Sequence, residues 1–225
     1  EVWGVPQWSA QYENTQRTAI RLDWLENVGI DKIPETIPEF EEMLVAFTFD
    51  DPDGNGEDDT YGLNQGWFGF FPFYAAYGVH DGWGYSADED GNVYSPIVTE
   101  DYKEVLELLH RWYELGVIDP EFVTDGRQLH VRKFVEGRLG TLMDGDGWFF
   151  PSNNNGYIPR LKEQDPDAEV AVIMNPRRPD GEHSGHFRAQ LMWGRGYARF
   201  FGYEASDEKV ERIMQILDSF AADFD

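Results

Sequence analysis

Cysteine is absent from the 225 residues, which excludes a disulfide framework and a thiolate metal centre without choosing a compartment. No apolar run approaches the roughly 18 residues needed to cross a bilayer, so the chain contains no readable membrane-spanning segment. Basic residues are scarce, 18 against 43 Asp and Glu, for a formal charge of −25. A surface of that sign repels phosphate backbones and anionic lipid, and nucleic acid is not an expected partner. The 5 lysines beside 13 arginines suit salty water outside a cell, and equally suit plain solubility. Initiating methionine and a charged-then-apolar leader are both missing, so the chain is expected to be a processed product or part of a longer protein. What is present is apolar enough to fold: 41% hydrophobic and 16% aromatic residues exclude disorder, and this length buries about 70% of the unfolded surface, in one large or two small cores.

The most organised polar stretch is Asp51-Pro52-Asp53-Gly54-Asn55-Gly56-Glu57-Asp58-Asp59. Oxygen donors at alternate positions, broken by glycine, are what a hard cation asks of a loop. Asp51, Asp53 and Asn55 fill the first, third and fifth places of the EF-hand pattern, Gly56 permits the turn at the sixth, Glu57 offers its carbonyl and Asp59 the ninth-place oxygen. The twelfth place is Gly62, where a calcium sensor requires a bidentate carboxylate. The expectation is therefore a structural Ca2+ site closed differently, through Thr60 or water, and not a regulatory EF-hand. A solvated Asp/Gly turn is the competing reading.

Around this loop the chain alternates helical and strand-like segments. Val2 to Pro6 reads as a short strand. Ile20, Trp24, Leu25 and Val28 recur at helical spacing over Thr18–Val28, with Gly29 at the cap position. Thr36 and Glu39 form a capping box for a helix carrying Phe40, Met43, Leu44 and Phe47. The crowded aromatics from Tyr61 to Tyr77 divide between core packing and a wall for a flat ligand, the second role falling on Trp67 or Tyr74. Asp88 to Asn92 reads as a hairpin turn, Thr99–Leu115 as a capped helix ended by Gly116, Arg127–Glu136 as a helix, and Leu139–Met143 as a buried strand. Asp144-Gly145-Asp146-Gly147-Trp148 follows that strand, placing a tryptophan on a flexible turn at a strand's carboxyl end, where open α/β sheets bind ligands. A helix within Ser152–Lys162, strands at Val170–Met174, Ala189–Trp193 and Tyr197–Phe201, and a helix opened by Ser206 complete the pattern. The expected class is α/β, with helices on both faces of a mostly parallel sheet. His183 and His186 have no third donor in a local motif and read as unliganded surface.

Several of these segments together resemble a known family. Arg21-Leu22-Asp23-Trp24-Leu25 followed by Pro34-Glu35-Thr36-Ile37-Pro38-Glu39, the acidic loop directly after it, and Phe134-Val135-Glu136-Gly137 with Gly140, Met143 and Trp148 resemble the extracellular solute-binding proteins of ABC sugar importers, in particular the maltose-binding and the longer oligosaccharide- and alginate-binding lipoprotein-like members. The glycine-to-tryptophan spacing is one residue longer than the commonest form, which leaves Trp148 and Phe149 as alternatives for the ring facing the ligand.

The resemblance implies a periplasmic-binding-protein-like type II fold, represented mainly by its second lobe. It implies a hinge or crossing segment at 1–17, that lobe with its calcium loop at 18–188, and return strands and a helix towards a largely missing first lobe at 189–225. It also implies a sugar or oligosaccharide ligand, ABC permease subunits as partners, an extracytoplasmic place of work and no catalysis. Sugars offer apolar C–H faces to rings and hydroxyls to charged groups, so Trp8, Trp67, Tyr74, Trp148 and Phe149, with Asp144, Asp146 and Arg188, are the ligand candidates. Two other classes are compatible with exposed aromatics among acids: a glycoside hydrolase with two catalytic carboxylates, and a calcium-dependent lectin using the Asp51 loop itself.

Overall fold

A computed structural model describes residues 4–8, 16–65, 69–79, 86–87, 90–145, 149–150, 156–178, 196–200, 206, 208–212 and 215. The chain divides into two compact units, Glu13–Arg188 and the pair of segments Glu1–Tyr12 and Ala189–Asp225.

Among the described residues, the larger unit carries five strands and six α-helices. In chain order these are β2 (Gln16–Arg21), α1 (Leu22–Asn27), α2 (Ile37–Phe49), α3 (Phe71–Ala76), the short hairpin β3 (Ser86–Ala87) and β4 (Val93–Tyr94), α4 (Glu100–Glu114), α5 (Arg127–Val135), β5 (Thr141–Gly145), α6 (Tyr157–Gln164) and β6 (Val170–Ile173). In the smaller unit, β1 (Gly4–Trp8) pairs antiparallel with β7 (Gly196–Phe200).

The order across the main sheet is β5-β2-β6, with β2 antiparallel to both neighbours. Successive side chains of a strand point to opposite faces, and here both faces are apolar. Ile20, Met143 and Ile173 join a core made with α1, α2, α3 and α4. Ala19 and Leu142 join a second core made with α5 and α6. Helices thus cover both faces as expected.

Two expectations are corrected. The sheet is not mostly parallel: β5, α6 and β6 form the anticipated strand–helix–strand unit, but β2 lies between its strands and runs against both. The helix read over Thr18–Val28 is β2 up to Arg21 and α1 only from Leu22. Thr18, Ala19 and Ile20 are buried between two partner strands, and cross-strand pairing on both sides outweighs a helical spacing that Trp24 and Leu25 satisfy alone.

The other helices begin and end where their local chemistry directs. Thr36 and Glu39 make the capping box at the start of α2, and the Thr99 hydroxyl accepts from Tyr102 N at 3.3 Å at the start of α4. The hydrogen bond from Lys32, followed by the Glu35 and Thr36 backbone N–H groups, holds the Glu39 carboxyl down at about 2. Because the folded value is depressed, this contribution is present above the ordinary glutamate range and is lost as pH falls towards 2. Glu39→Gln is expected to lower the melting temperature modestly at neutral pH, and the difference between the two proteins to shrink as pH falls towards 2.

Candidate functional site

The acidic loop leaves α2 through three left-handed residues, Asp51 at φ +47, Gly54 at +69 and Gly56 at +80. These turns fold the polar side chains inward. The Asp51 carboxylate accepts from Gly56 N at 3.1 and 3.2 Å. The Asn55 amide donates to Asp53 at 2.9 Å and to Asp59 at 3.2 Å, while its oxygen accepts from Glu57 N at 2.6 Å. Asp53 and Asp59 therefore meet at the Asn55 amide, while Asp51 holds the next residue's backbone N–H. Burial, then the nearby charges of Asp59 and Asp51, push the Asp53 carboxyl up. Carboxylate and amide oxygens gathered in one loop are a donor set suited to a hard cation.

The loop is fastened at both ends. Asn27 donates to Pro52 O at 2.8 Å, and the buried Thr60 hydroxyl donates to Phe47 O at 2.9 Å. Thr60 thus anchors the loop's exit to α2. Gly62 lies against α2 so closely that a Cβ there would stand 2.6 Å from Leu44 O, which leaves no room for a twelfth-place carboxylate in this packing.

A second acidic group escaped the sequence reading. Asp119, Glu121 and Asp125 bring ligand oxygens within 4.8 Å of one another, the geometry of a metal cluster, but the Lys133 ammonium lies among them at 2.6, 2.8 and 2.6 Å. Asn64 donates to Asp119 and Asp125 at 3.1 and 2.9 Å. Burial alone would lower Lys133; hydrogen bonds to Asp119, Asp125 and Glu121 overcome it and raise the ammonium above the ordinary lysine range. The acids were visible in sequence, whereas nothing paired them with a lysine on α5.

The carboxyl ends of β5 and β6 lie on either side of the start of β2. Here Arg17 stands opposite Asp144 in the ladder, the Thr18 hydroxyl donates to Asn175 at 3.0 Å, and the Tyr157 hydroxyl donates to Asp144 at 2.8 Å. Asp144 is 1% exposed, so its carboxylate serves the fold and orients Tyr157 instead of opening to a ligand. Phe149, also a ligand candidate, is a core ring: it is 0% exposed and meets Tyr157 edge-on at 5.9 Å. Met174, just beyond β6, is 54% exposed, and the sequence reading passed over it. The signal that could have found Met174 and Asn175 is their place just beyond the carboxyl end of β6.

The remaining candidates fall elsewhere. Tyr74 is half-buried against Tyr102, ring centroids 5.1 Å apart, on the α4 side of the core. Trp8 ends β1, where its backbone partner is Gly196. Trp67, Asp146, Trp148 and Arg188, like His183 and His186, lie outside the described residues.

The larger unit is an α/β fold, a central sheet covered by helices on both faces. The chain superimposes on FusA, an ABC-transporter substrate-binding protein of Streptococcus pneumoniae solved with kestose, at TM-score 0.61 and 22% identity over 82% of this chain and 38% of that one. An EF-hand mutant of FusA in complex with fructo-nystose matches at the same TM-score. In sequence the chain is homologous to two proteins of Bacillus subtilis: lipoprotein LipO, 35% identical over 56% of this chain and 26% of that protein, and the polygalacturonan/rhamnogalacturonan-binding protein YtcQ, 26% identical over 92% and 40%. The chain therefore spans between a quarter and two-fifths of the length of these relatives. No protein-family model matches it. No helix among the described residues is long and apolar enough to cross a membrane.

Proposed function

We propose that the chain is part of the substrate-binding component of an ABC transporter, capturing an oligosaccharide outside the cytoplasmic membrane and delivering it to the permease subunits. The observation that carries this reading is the sheet end. Buried polar groups (Thr18, Asp144, Tyr157, Asn175) brace the end of the sheet beside exposed Met174, and in sequence β5 is followed directly by Asp146-Gly147-Trp148. Homology to YtcQ and likeness to FusA, a binding protein seen with fructo-oligosaccharides, support it. Residues 18–188 then form the second lobe, and 1–17 with 189–225 the crossing and return. Trp148 stacks on a sugar face, and Trp8, Trp67, Tyr74, Asp146 and Arg188 contribute around it.

The test is calorimetric titration of the intact protein with neutral and uronic oligosaccharides. Tight binding without release of reducing ends is the expected result, and sustained release abolished by one carboxylate substitution would make the protein a hydrolase instead. Trp148→Ala is expected to weaken binding by about thirtyfold, the effect of losing an anchor worth about 2 kcal/mol, with melting nearly unchanged. Retained affinity beside a large melting loss would assign Trp148 to the core.

The loop residues Asp51, Asp53, Asn55, Glu57 and Asp59, with Thr60 fastening the loop, fit calcium, which would neutralise the converging carboxylates and stiffen the loop. Calcium at about ten times its dissociation constant is expected to add roughly 1.4 kcal/mol of stability, read as a melting shift between calcium and excess chelator that Asp53→Asn reduces. Equal melting under both conditions removes calcium from the protein. Loss of sugar affinity in chelator, with the fold intact, would favour the lectin reading.

A further inference from the structure

Asn55 and Gly56 form a pair whose covalent chemistry needs no cation. Gly56 has no side chain to shield its backbone nitrogen, and its φ of +80 belongs to the region glycine adopts freely. Asn55 is exposed, and its oxygen accepts from Glu57 N at 2.6 Å, an Asx turn that closes the side chain over the Gly56 peptide. The Gly56 N–H is directed at Asp51, 3.1 and 3.2 Å from its two carboxylate oxygens. Attack by this nitrogen on Asn55 Cγ would place negative charge on Oδ1, where the Glu57 N–H already donates. It would release a proton where Asp51 already accepts. A donor on the developing oxyanion and an acceptor on the departing proton are the two aids that amide chemistry needs.

We propose that Asn55–Gly56 is a self-modifying pair, at which the folded loop promotes deamidation of Asn55 through a succinimide. The Gly56 N–Cγ bond forms as the nitrogen loses its proton. The Cγ–Nδ2 bond then breaks, and Nδ2 takes up a proton from water and leaves as ammonia. Water opens the ring at either carbonyl. Cleavage of the new Cγ–N bond gives aspartate at position 55. Cleavage of the original peptide bond gives an isoaspartyl link, in which the chain runs through the former side-chain carbon and is one atom longer. The net change is asparagine plus water to acid plus ammonia. Either product adds a negative charge to the loop, and the isoaspartyl form also shifts Glu57 and Asp59 relative to Asp51 and Asp53. The loop thereby acquires an age-dependent donor set, whichever cation it serves.

The test holds the intact protein in mildly alkaline buffer with a chelator, so that no cation competes for the Asn55 oxygen. Conversion is followed by peptide mapping with mass spectrometry and by isoaspartyl methylation, beside a synthetic peptide of residues 50–62 in the same buffer. The folded loop is expected to convert at Asn55 several-fold faster than the free peptide. Asp51→Asn is expected to bring the folded rate down to that of the peptide, without changing conversion at Asn155, the other asparagine that precedes glycine. Equal rates in protein and peptide, or an Asn55 that survives in the folded chain while the peptide converts, overturn the proposal. That comparison involves no substitution and decides the matter even where Asp51→Asn disturbs the loop.

Discussion

Lys133→Ala is expected to destabilise the protein by about 3–5 kcal/mol, because it leaves buried carboxylates without their cation. Lys133 is 4% exposed and Asp119 and Asp125 are similarly enclosed; water cannot replace the ammonium without opening the cluster. Its raised folded value gives a clear sign. The stabilisation is complete below the ordinary lysine range and is lost only as pH rises through the still higher folded value, so melting differences between the two proteins are expected to be constant across neutral pH. Removing the ammonium also uncovers three carboxylates with the spacing of a metal site. Divalent cation is therefore expected to restore melting in Lys133→Ala by more than it raises the unsubstituted chain. A variant that melts normally, with no added response to divalent cation, would show that the cluster is not held by Lys133.

Gly62→Glu is expected to fail as a repair of the EF-hand pattern. By loop chemistry alone a twelfth-place carboxylate ought to tighten calcium binding. In the fold, a Cβ at position 62 would lie 2.6 Å from Leu44 O and 2.8 Å from Leu44 Cα, and α2 would have to move. Overpacking of this kind costs about 1–3 kcal/mol, with burial of the carboxylate in addition. Gly62→Ala is expected to lose most of the same stability, which separates the steric part from the charge, and calcium titration of Gly62→Glu is expected to show no gain in affinity. A stable Gly62→Glu with tighter calcium binding would show that α2 yields at this point.

The structure also bears on how the loop relates to the sheet. After Thr60, the chain passes alongside the approach to β5: Tyr61 N donates to Arg138 O at 3.0 Å, Gly140 N donates to Tyr61 O at 3.0 Å, and the Thr141 hydroxyl donates to Gly62 O at 2.8 Å. Leu63 then pairs with Val117 and Asp119, and Asn64 reaches the Lys133 cluster. Residues 60–64 thus connect the acidic loop, the approach to β5 and the buried ion cluster.

Sequence alone was sufficient wherever short-range chemistry decides the outcome. The capping box at Thr36 and Glu39, the Thr99 cap, the left-handed glycines after α1 and α4, the turn between β3 and β4, and the inward-folded acids of the Asp51 loop all depend on residues a few positions apart, whose hydrogen bonds form in almost any tertiary setting. The strand–helix–strand order of β5, α6 and β6 was legible for the same reason. Tertiary structure decided what depends on residues far apart in the chain. Thr18–Arg21 became a strand because β5 and β6, more than a hundred residues later, supply partners on both sides. Phe149 became core because Tyr157 and α5 enclose it, and Asp144 was withdrawn from solvent by the Tyr157 hydroxyl. Lys133 acquired its three carboxylates only when α5 came to rest against the segment at 119–125, and Gly62 lost any freedom to carry a ligand when the chain packed on α2. Periodicity and motif spacing record which faces of a segment are apolar or charged. They do not record which distant surface arrives to meet that face, and that arrival determined strand direction, burial and the pairing of charge.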